Sequence, residues 1–180
     1  MFQIKTFLLF ADDTNIVIKG DNLNDLNSII NEELTKLYVW FRANRLSLNV
    51  KRTNYIVFHC KQKKYTPNPM NIYINGSLIN EVAKTTFLGI IVDNVSSWKY
   101  HLDHTCKRIS KSFYLIAKAS KVMDTKSLFQ LYYSFVYSYI QYDIVVWGTA
   151  NAIILNKIIV LQKKIMRIIC GIRGDILLHY

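Results

Sequence analysis

The chain has 180 residues, 51% of them hydrophobic, enough for one ordinary domain or two small ones and too apolar for a disordered tail. Its 23 Lys and Arg against 12 Asp and Glu give a formal charge of +11, which points to a polyanionic partner, either nucleic acid or an acidic membrane surface. Three widely spaced cysteines, Cys60, Cys106 and Cys170, argue against a disulfide framework and make a reducing compartment the default.

The opening MFQIKTFLLFADD carries an apolar run at residues 6–11 that is too short for a secretory signal core and runs into two acids. The chain is therefore expected to be intracellular, in the nucleus or cytoplasm, and not secreted. Residues 7–10 and 14–19 read as two strands of a hairpin around a tight Ala11-Asp12-Asp13 connection. Asp21 or Asn22 then caps a helix. Its apolar stripe is Leu23, Leu26, Ile30, Leu34, Leu37 and Phe41, and it ends near Asn44, a residue that tolerates a left-handed cap.

Residues 46–58 are strand-like, interrupted by a polar turn at 51–54. Residues 61–70 form a basic loop broken by both prolines. Asn75-Gly76 between β-formers is a strong hairpin signal. Residues 85–93 read as one more strand, with Gly89 marking a bulge or a close backbone approach.

After Asp93 the period changes to helical. Trp98, Leu102, Thr105, Ile109, Phe113 and Ile116 share one face of a first helix, with Lys99, Lys107, Arg108, Lys111 and Lys118 crowded elsewhere on it. Asp124 or Thr125 caps a second helix, with Leu128, Leu131, Phe135 and Tyr139 inward; Ile154, Ile158, Leu161, Ile165 and Ile168 stripe a third. Residues 128–148 are long enough to cross a membrane, but Gln130, Ser134, Ser138, Gln141 and Asp143 interrupt them, so a core helix is expected. The fold class is α+β: an antiparallel sheet with one packed helix over residues 1–95, then an all-α bundle over 96–180. The charge divides accordingly, with 11 basic and 8 acidic residues over 1–96 and 12 and 4 over 97–180.

Two adjacent acids in a turn are common and form local hydrogen bonds. Flanked by apolar strands, however, Asp12 and Asp13 repel one another and are costly to desolvate, and a divalent cation relieves both problems. Hard carboxylate oxygens suit Mg²⁺, and paired Mg²⁺ ions promote phosphoryl transfer.

The segment FADD (10–13) resembles the polymerase motif of reverse transcriptases. The order of later segments resembles the non-LTR, LINE-type or jockey-like retrotransposon enzymes. These are NRLSLNVKRTNYIVF from Asn44, FLGIIVD (87–93), WKYH (98–101), LYYSFVYSYIQYDIVVWG (131–148) and LQKKIMRIICG (161–171). The resemblance implies a partial palm at 1–95 and a helical thumb at 96–180. Asp12 would bind catalytic Mg²⁺, or Mn²⁺ in its place, and Asp13 would assist. Lys51 and Arg52 would meet nucleotide or pyrophosphate, and Phe87, Leu88 and Gly89 would form the primer grip. Lys99, Lys107, Arg108, Lys111 and Lys118 would follow the backbone of an RNA template and DNA primer.

The match has departures. Family enzymes use a further Asp upstream of the hairpin and a fingers region, and this sequence begins just before the hairpin, so both are expected to be absent. Metal binding is then expected to be weak and the chain inactive alone. Arg52 stands where the family has Lys, and a guanidinium barely releases protons. Ser138 and Asp143 stand where the family often has Pro and Gly. The hairpin edge is expected to be exposed and to invite aggregation or a partner chain.

Other signals have bland readings beside functional ones. His101, His104 and Cys106 show H-x-x-H-x-C spacing without a completing cluster. KQKKY (61–65) is a nuclear-localisation patch or a solvated loop. Tyr132, Tyr133, Tyr137, Tyr139 and Tyr142 either stack on bases or pack with hydroxyls at the edge. The alternative to a polymerase fragment is a non-catalytic nucleic-acid-binding or interaction protein built from the helical part.

Overall fold

Asn22 caps the first helix, α1 (Leu23–Ala43), its side chain accepting from the Asn24 amide at 3.1 Å. It does so in a computed structural model that describes residues 5–20, 22–61 and 70–172. Asp21, most of the basic loop at 61–70 and both prolines lie outside the described residues. The chain divides into two compact units, Met1–Ala83 and Lys84–Tyr180.

In the first unit, β1 (Lys5–Phe10) and β2 (Asp13–Ile18) form an antiparallel hairpin, and α1 follows. Lys5 ties β1 to α1 through Glu33 at 2.7 Å. The ammonium groups of Lys5 and then Lys36 hold the Glu33 carboxyl below its usual range. The expected stripe of α1 is half-buried to buried, and α1 ends in a Schellman motif. The Leu46 amide donates to the Phe41 carbonyl at 2.8 Å and the Arg45 amide to Arg42 at 3.1 Å. The left-handed residue is Arg45 (φ +56°), one position beyond Asn44.

Residues 46–58 are mostly not strand. A 3₁₀ turn, Val50–Arg52, precedes β3 (Asn54–Tyr55), which pairs in parallel with β6 (Asn80–Glu81). β4 (Tyr73–Ile74) and β5 (Ser77–Leu78) form the expected hairpin, with positive φ at both Asn75 and Gly76. Ile72, Ile74 and Ile79 are the small buried core here, packed with Ile30, Leu34 and Tyr38 of α1. The Asn31 side chain of α1 accepts from the Tyr73 amide (2.8 Å) and donates to the Asn71 carbonyl (2.9 Å), completing hydrogen bonds the short strand leaves open.

In the second unit, residues 84–93 are two strands, not one: β7 (Lys84–Phe87) and β8 (Ile90–Asp93) meet at a Leu88-Gly89 turn. The described strands thus form four separate two-stranded ladders, one of them parallel, rather than one antiparallel sheet. The mixed composition of the chain is α+β as expected.

Helices α2 (Lys99–Ala119), α3 (Thr125–Tyr132), α4 (Ser138–Gln141), α5 (Ile144–Trp147) and α6 (Ala152–Ile169) enclose the larger core. Leu102, Ile109 and Ile116 of α2 meet Ile158, Ile165 and Ile169 of α6, with Leu128, Tyr132, Val136 and Trp147. Asp124 caps α3 through the Ser127 amide. Between α3 and α4, Tyr133–Tyr137 widen into a π-helical turn, which shifts the inward phase by one residue. Val136 is buried and Phe135 is exposed, the reverse of the regular stripe. Gly148 closes α5 where a Cβ would lie 2.4 Å from the Ile144 carbonyl oxygen, so no larger residue fits behind buried Trp147. Among the described residues no helix is long and apolar enough to cross a membrane.

Candidate catalytic hairpin and nucleic-acid surface

The two central acids straddle a turn boundary. Phe10 pairs with Asp13, so the turn consists of Ala11 and Asp12, and Asp13 is the first residue of β2 rather than part of the connection. Ala11 takes φ +51°, the sign the primed hairpin turns require at their first central residue. This tight turn presents two consecutive carboxylates. Both are exposed, and neither has a hydrogen-bond or ion-pair partner among the described residues.

The expectation of charges forced into a buried hairpin is therefore corrected. β1 is exposed along its whole length, with Leu9 at 70% and Phe10 at 62%, so water solvates the carboxylates without help from a cation. The donor chemistry suits a hard divalent ion, but the donor number does not complete a site. Among the described residues no group of three or more His, Cys, Asp or Glu could hold a metal.

Lys51 and Arg52 fall on the 3₁₀ turn of the same unit, both exposed, adjacent on a short, tightly wound segment. Phe87, Leu88 and Gly89 belong to the other unit. Leu88 (φ +46°) and Gly89 (φ +82°) build a type I′-like turn. Gly89 therefore marks a turn rather than a bulge or a close approach within one strand, its positive φ being what favours glycine, and its neighbour is internal and at ordinary contact distance. The Tyr142 hydroxyl donates to the Leu88 carbonyl at 2.5 Å, and a Cβ on Gly89 would lie 3.4 Å from that hydroxyl oxygen. The Tyr142 carbonyl in turn accepts from the Trp147 indole at 2.8 Å. Asp143 follows with φ +49°, a conformation glycine adopts without strain.

Asp93 has a structural role that sequence reasoning did not assign. It is 2% exposed and accepts from the Ser97 amide (2.9 Å), the Ser97 hydroxyl (2.8 Å) and the Trp98 amide (3.2 Å). These bonds satisfy donors in the loop that leads into α2, where Trp98 has a left-handed φ of +60° and no side-chain cap of its own. An Asp four residues before a Ser at a helix start was the available signal.

His101 is buried. Its Nδ1 accepts from the Ile91 amide at 3.3 Å, its Nε2 has no partner, and its ring centroid lies 6.1 Å from that of Trp147. Burial pulls its pKa below the usual histidine value; the His104 charge adds to this and Asp143 opposes it. His104 is exposed, and burial pushes the Cys106 thiol up. Among the described residues, the H-x-x-H-x-C spacing does not bring together three groups that could hold a metal.

The five cations assigned to α2 are all exposed but do not form one stripe. The Arg108 guanidinium stands over the Tyr139 ring at 5.1 Å. Of the tyrosines considered together, only Tyr132 is core, its hydroxyl accepting from Gln162 at 2.7 Å. Tyr133, Tyr137 and Tyr142 are exposed, and Tyr139 is partly buried against the core. Two further exposed rings on α2, Tyr100 and Tyr114, were missed; their helical phase relative to the lysines was the signal.

Over 167 residues the chain is 29% identical to the RNA-directed DNA polymerase from mobile element jockey of Drosophila funebris, covering 90% of this chain and 18% of that protein. It is 25% identical over 166 residues to the jockey RNA-directed DNA polymerase of Drosophila melanogaster, again covering 90% and 18%. A probable RNA-directed DNA polymerase from transposon BS of Drosophila melanogaster is 26% identical over 164 residues, covering 89% and 18%. The chain thus spans 18% of the length of these relatives. No family model matches it, and no solved structure does.

Proposed function

We propose that these 180 residues are part of a non-LTR retrotransposon reverse transcriptase, supplying the carboxylate hairpin of a palm and the helical region that follows it. The observation that carries this reading is the likeness, along nine-tenths of the chain, to RNA-directed DNA polymerases, combined with adjacent carboxylates on a two-residue turn. Asp12 and Asp13 would hold Mg²⁺, or Mn²⁺ in its place. Bound there with further ligands, the metal would supply activation of the attacking hydroxyl and charge neutralisation in nucleotidyl transfer. Lys51 and Arg52 offer cations for nucleotide phosphates. Phe87, Leu88 and Gly89 would meet the primer, and Lys99, Lys107, Arg108, Lys111 and Lys118 would follow the template–primer backbone.

Two consecutive carboxylates cannot enclose two metal ions, and no third acid is gathered with them among the described residues. Weak metal binding and no primer extension by these residues alone are the consequence. The edge of β1, unpaired among the described residues, would accept a further strand from a partner chain or from a longer polypeptide. Free Cys60, Cys106 and Cys170 suit work in the nucleus or cytoplasm. A second reading, a nucleic-acid-binding protein without catalysis, is favoured by the exposed cations of α2.

The test is binding of a labelled RNA–DNA primer–template across a salt series, with and without Mg²⁺, nucleotides being added to the same samples. Binding that falls steeply with salt, ignores Asp12→Asn and yields no extension is expected. Extension that Asp12→Asn abolishes would show that the hairpin is catalytically sufficient and overturn the claim of inactivity.

A further inference from the structure

The outward face of α2 has a composition that a merely solvated surface does not require. At about 100° per residue, counting from Lys99, the sector from roughly 60° to 120° holds five residues: Tyr100, Lys107, Lys111, Tyr114 and Lys118. All five are exposed, and the buried Leu102, Ile109 and Ile116 lie on the other side of the helix. Every position in the sector is therefore a lysine or a tyrosine. Solvated helix faces usually intersperse acids among bases. The acid of α2 beside this sector, Asp103, is engaged by Lys157 at 3.5 Å. Lys107, Lys111 and Lys118 have no carboxylate partner among the described residues.

The rings are presented, not packed. Tyr114 is 61% exposed and Tyr100 is 46% exposed, and neither hydroxyl has a hydrogen-bond partner among the described residues. A lysine ammonium stands over each: Lys118 lies 4.7 Å from the Tyr114 centroid and Lys84 of β7 lies 4.2 Å from that of Tyr100. Such a contact holds the ring beside a cation and leaves the rest of it to solvent. From Tyr100 to Lys118 the face is about 27 Å long at about 1.5 Å per residue.

We infer that this face is a track for single-stranded nucleic acid, on which Lys107, Lys111 and Lys118 hold phosphates while Tyr100 and Tyr114 stack on bases. A duplex hides its base faces, so the rings would add nothing to duplex binding. A single strand offers both phosphates and free π-faces, and interleaved cations and aromatics are the chemistry that uses both. A protein groove would call for aliphatic side chains in the sector, and there are none. The inference rests on the nucleic-acid part of the reading above and on none of its catalysis.

The test uses the whole chain, a labelled oligothymidylate, a duplex of the same length and anionic phospholipid vesicles. Replacing both rings (Tyr100→Ala with Tyr114→Ala) is expected to weaken single-strand binding roughly tenfold or more per ring and to leave duplex binding unchanged. The corresponding double Phe variant is expected to retain single-strand binding, because stacking needs the ring and not the hydroxyl. Lys111→Gln is expected to weaken both and to reduce the single-strand salt slope by about 0.7. Equal helical circular dichroism checks that the exposed substitutions leave the fold intact. Single-strand binding that ignores the Ala pair, an equal loss on strand and duplex, or a preference for vesicles over oligonucleotide overturns the inference. Ring-independent binding to both nucleic acids sinks this inference alone, whereas failure to bind any nucleic acid sinks it together with the reading it rests on.

Discussion

His101 joins β8 to α2 through a bond that one proton would break. Its Nδ1 accepts from the Ile91 amide, so the neutral ring carries its proton on Nε2, which is buried without a partner. Protonating Nδ1 turns an acceptor into a donor facing another donor, in a site that already disfavours charge. The folded-state pKa lies below the ordinary 6.5, chiefly through burial. As pH falls, the unfolded chain takes up this proton first. The stability His101 contributes is therefore fully present above about 6.5 and is lost as pH falls from there through the lower folded value. Urea midpoints followed by circular dichroism should decline between pH 7.5 and 5 for the native chain. His101→Asn, which keeps an acceptor for Ile91 but cannot titrate there, should flatten that decline. Equal declines in both proteins would assign the effect to other groups. None of this was readable from the sequence, since a His at the start of an amphipathic helix gives no hint that a strand amide will reach it.

Among elements, what could be read locally was read, and what depends on neighbours was not. Asn22 and Asp124 cap helices because their short side chains reach back to nearby amides, and Asn75-Gly76 turns because both residues tolerate positive φ. The Leu88-Gly89 turn carries half of that signal, so residues 85–93 read as one strand. The carboxylate turn was legible as a hairpin with an open edge, but the exposure of β1 along its whole length was not, because burial belongs to the surroundings of a strand pair and not to its residues. The π-helical turn was invisible for a related reason. The Ser112 hydroxyl of α2 donates to the Phe135 carbonyl at 2.8 Å, giving that carbonyl a partner from another helix. The phase shift has a measurable consequence that inverts the usual order of size. Val136→Ala, at a fully buried position, should cost about 2 kcal/mol, whereas Phe135→Ala, at 43% exposure, should cost under about 1 kcal/mol. Denaturant titration of the two variants decides it. A larger loss at Phe135 would mean that the regular stripe holds in solution.

Over the whole molecule, charge and exposed apolar surface act against each other. The first compact unit carries 10 basic and 7 acidic residues and the second 13 and 5, so +8 of the +11 resides in the second unit. Repulsion between copies of such a chain opposes association at low ionic strength. The first unit meanwhile presents Phe7, Leu8, Leu9 and Phe10 on a two-stranded ribbon whose outer edge is unpaired among the described residues. An exposed apolar edge is a template for intermolecular strand pairing. Salt separates the two tendencies, because screening shortens from about 10 Å at 0.1 M to about 3 Å at 1 M, while hydrophobic burial is not weakened by it. Self-association measured by sedimentation velocity should therefore rise with salt, opposite in sign to the salt response expected for nucleic-acid binding. Leu9→Lys places a charge on the strand at its most exposed apolar position, 70% accessible, and should suppress that rise. Val122→Lys, at a still more open position outside the ribbon, adds the same charge and should not. If both substitutions suppress association equally, net charge alone governs it and the ribbon is not the contact.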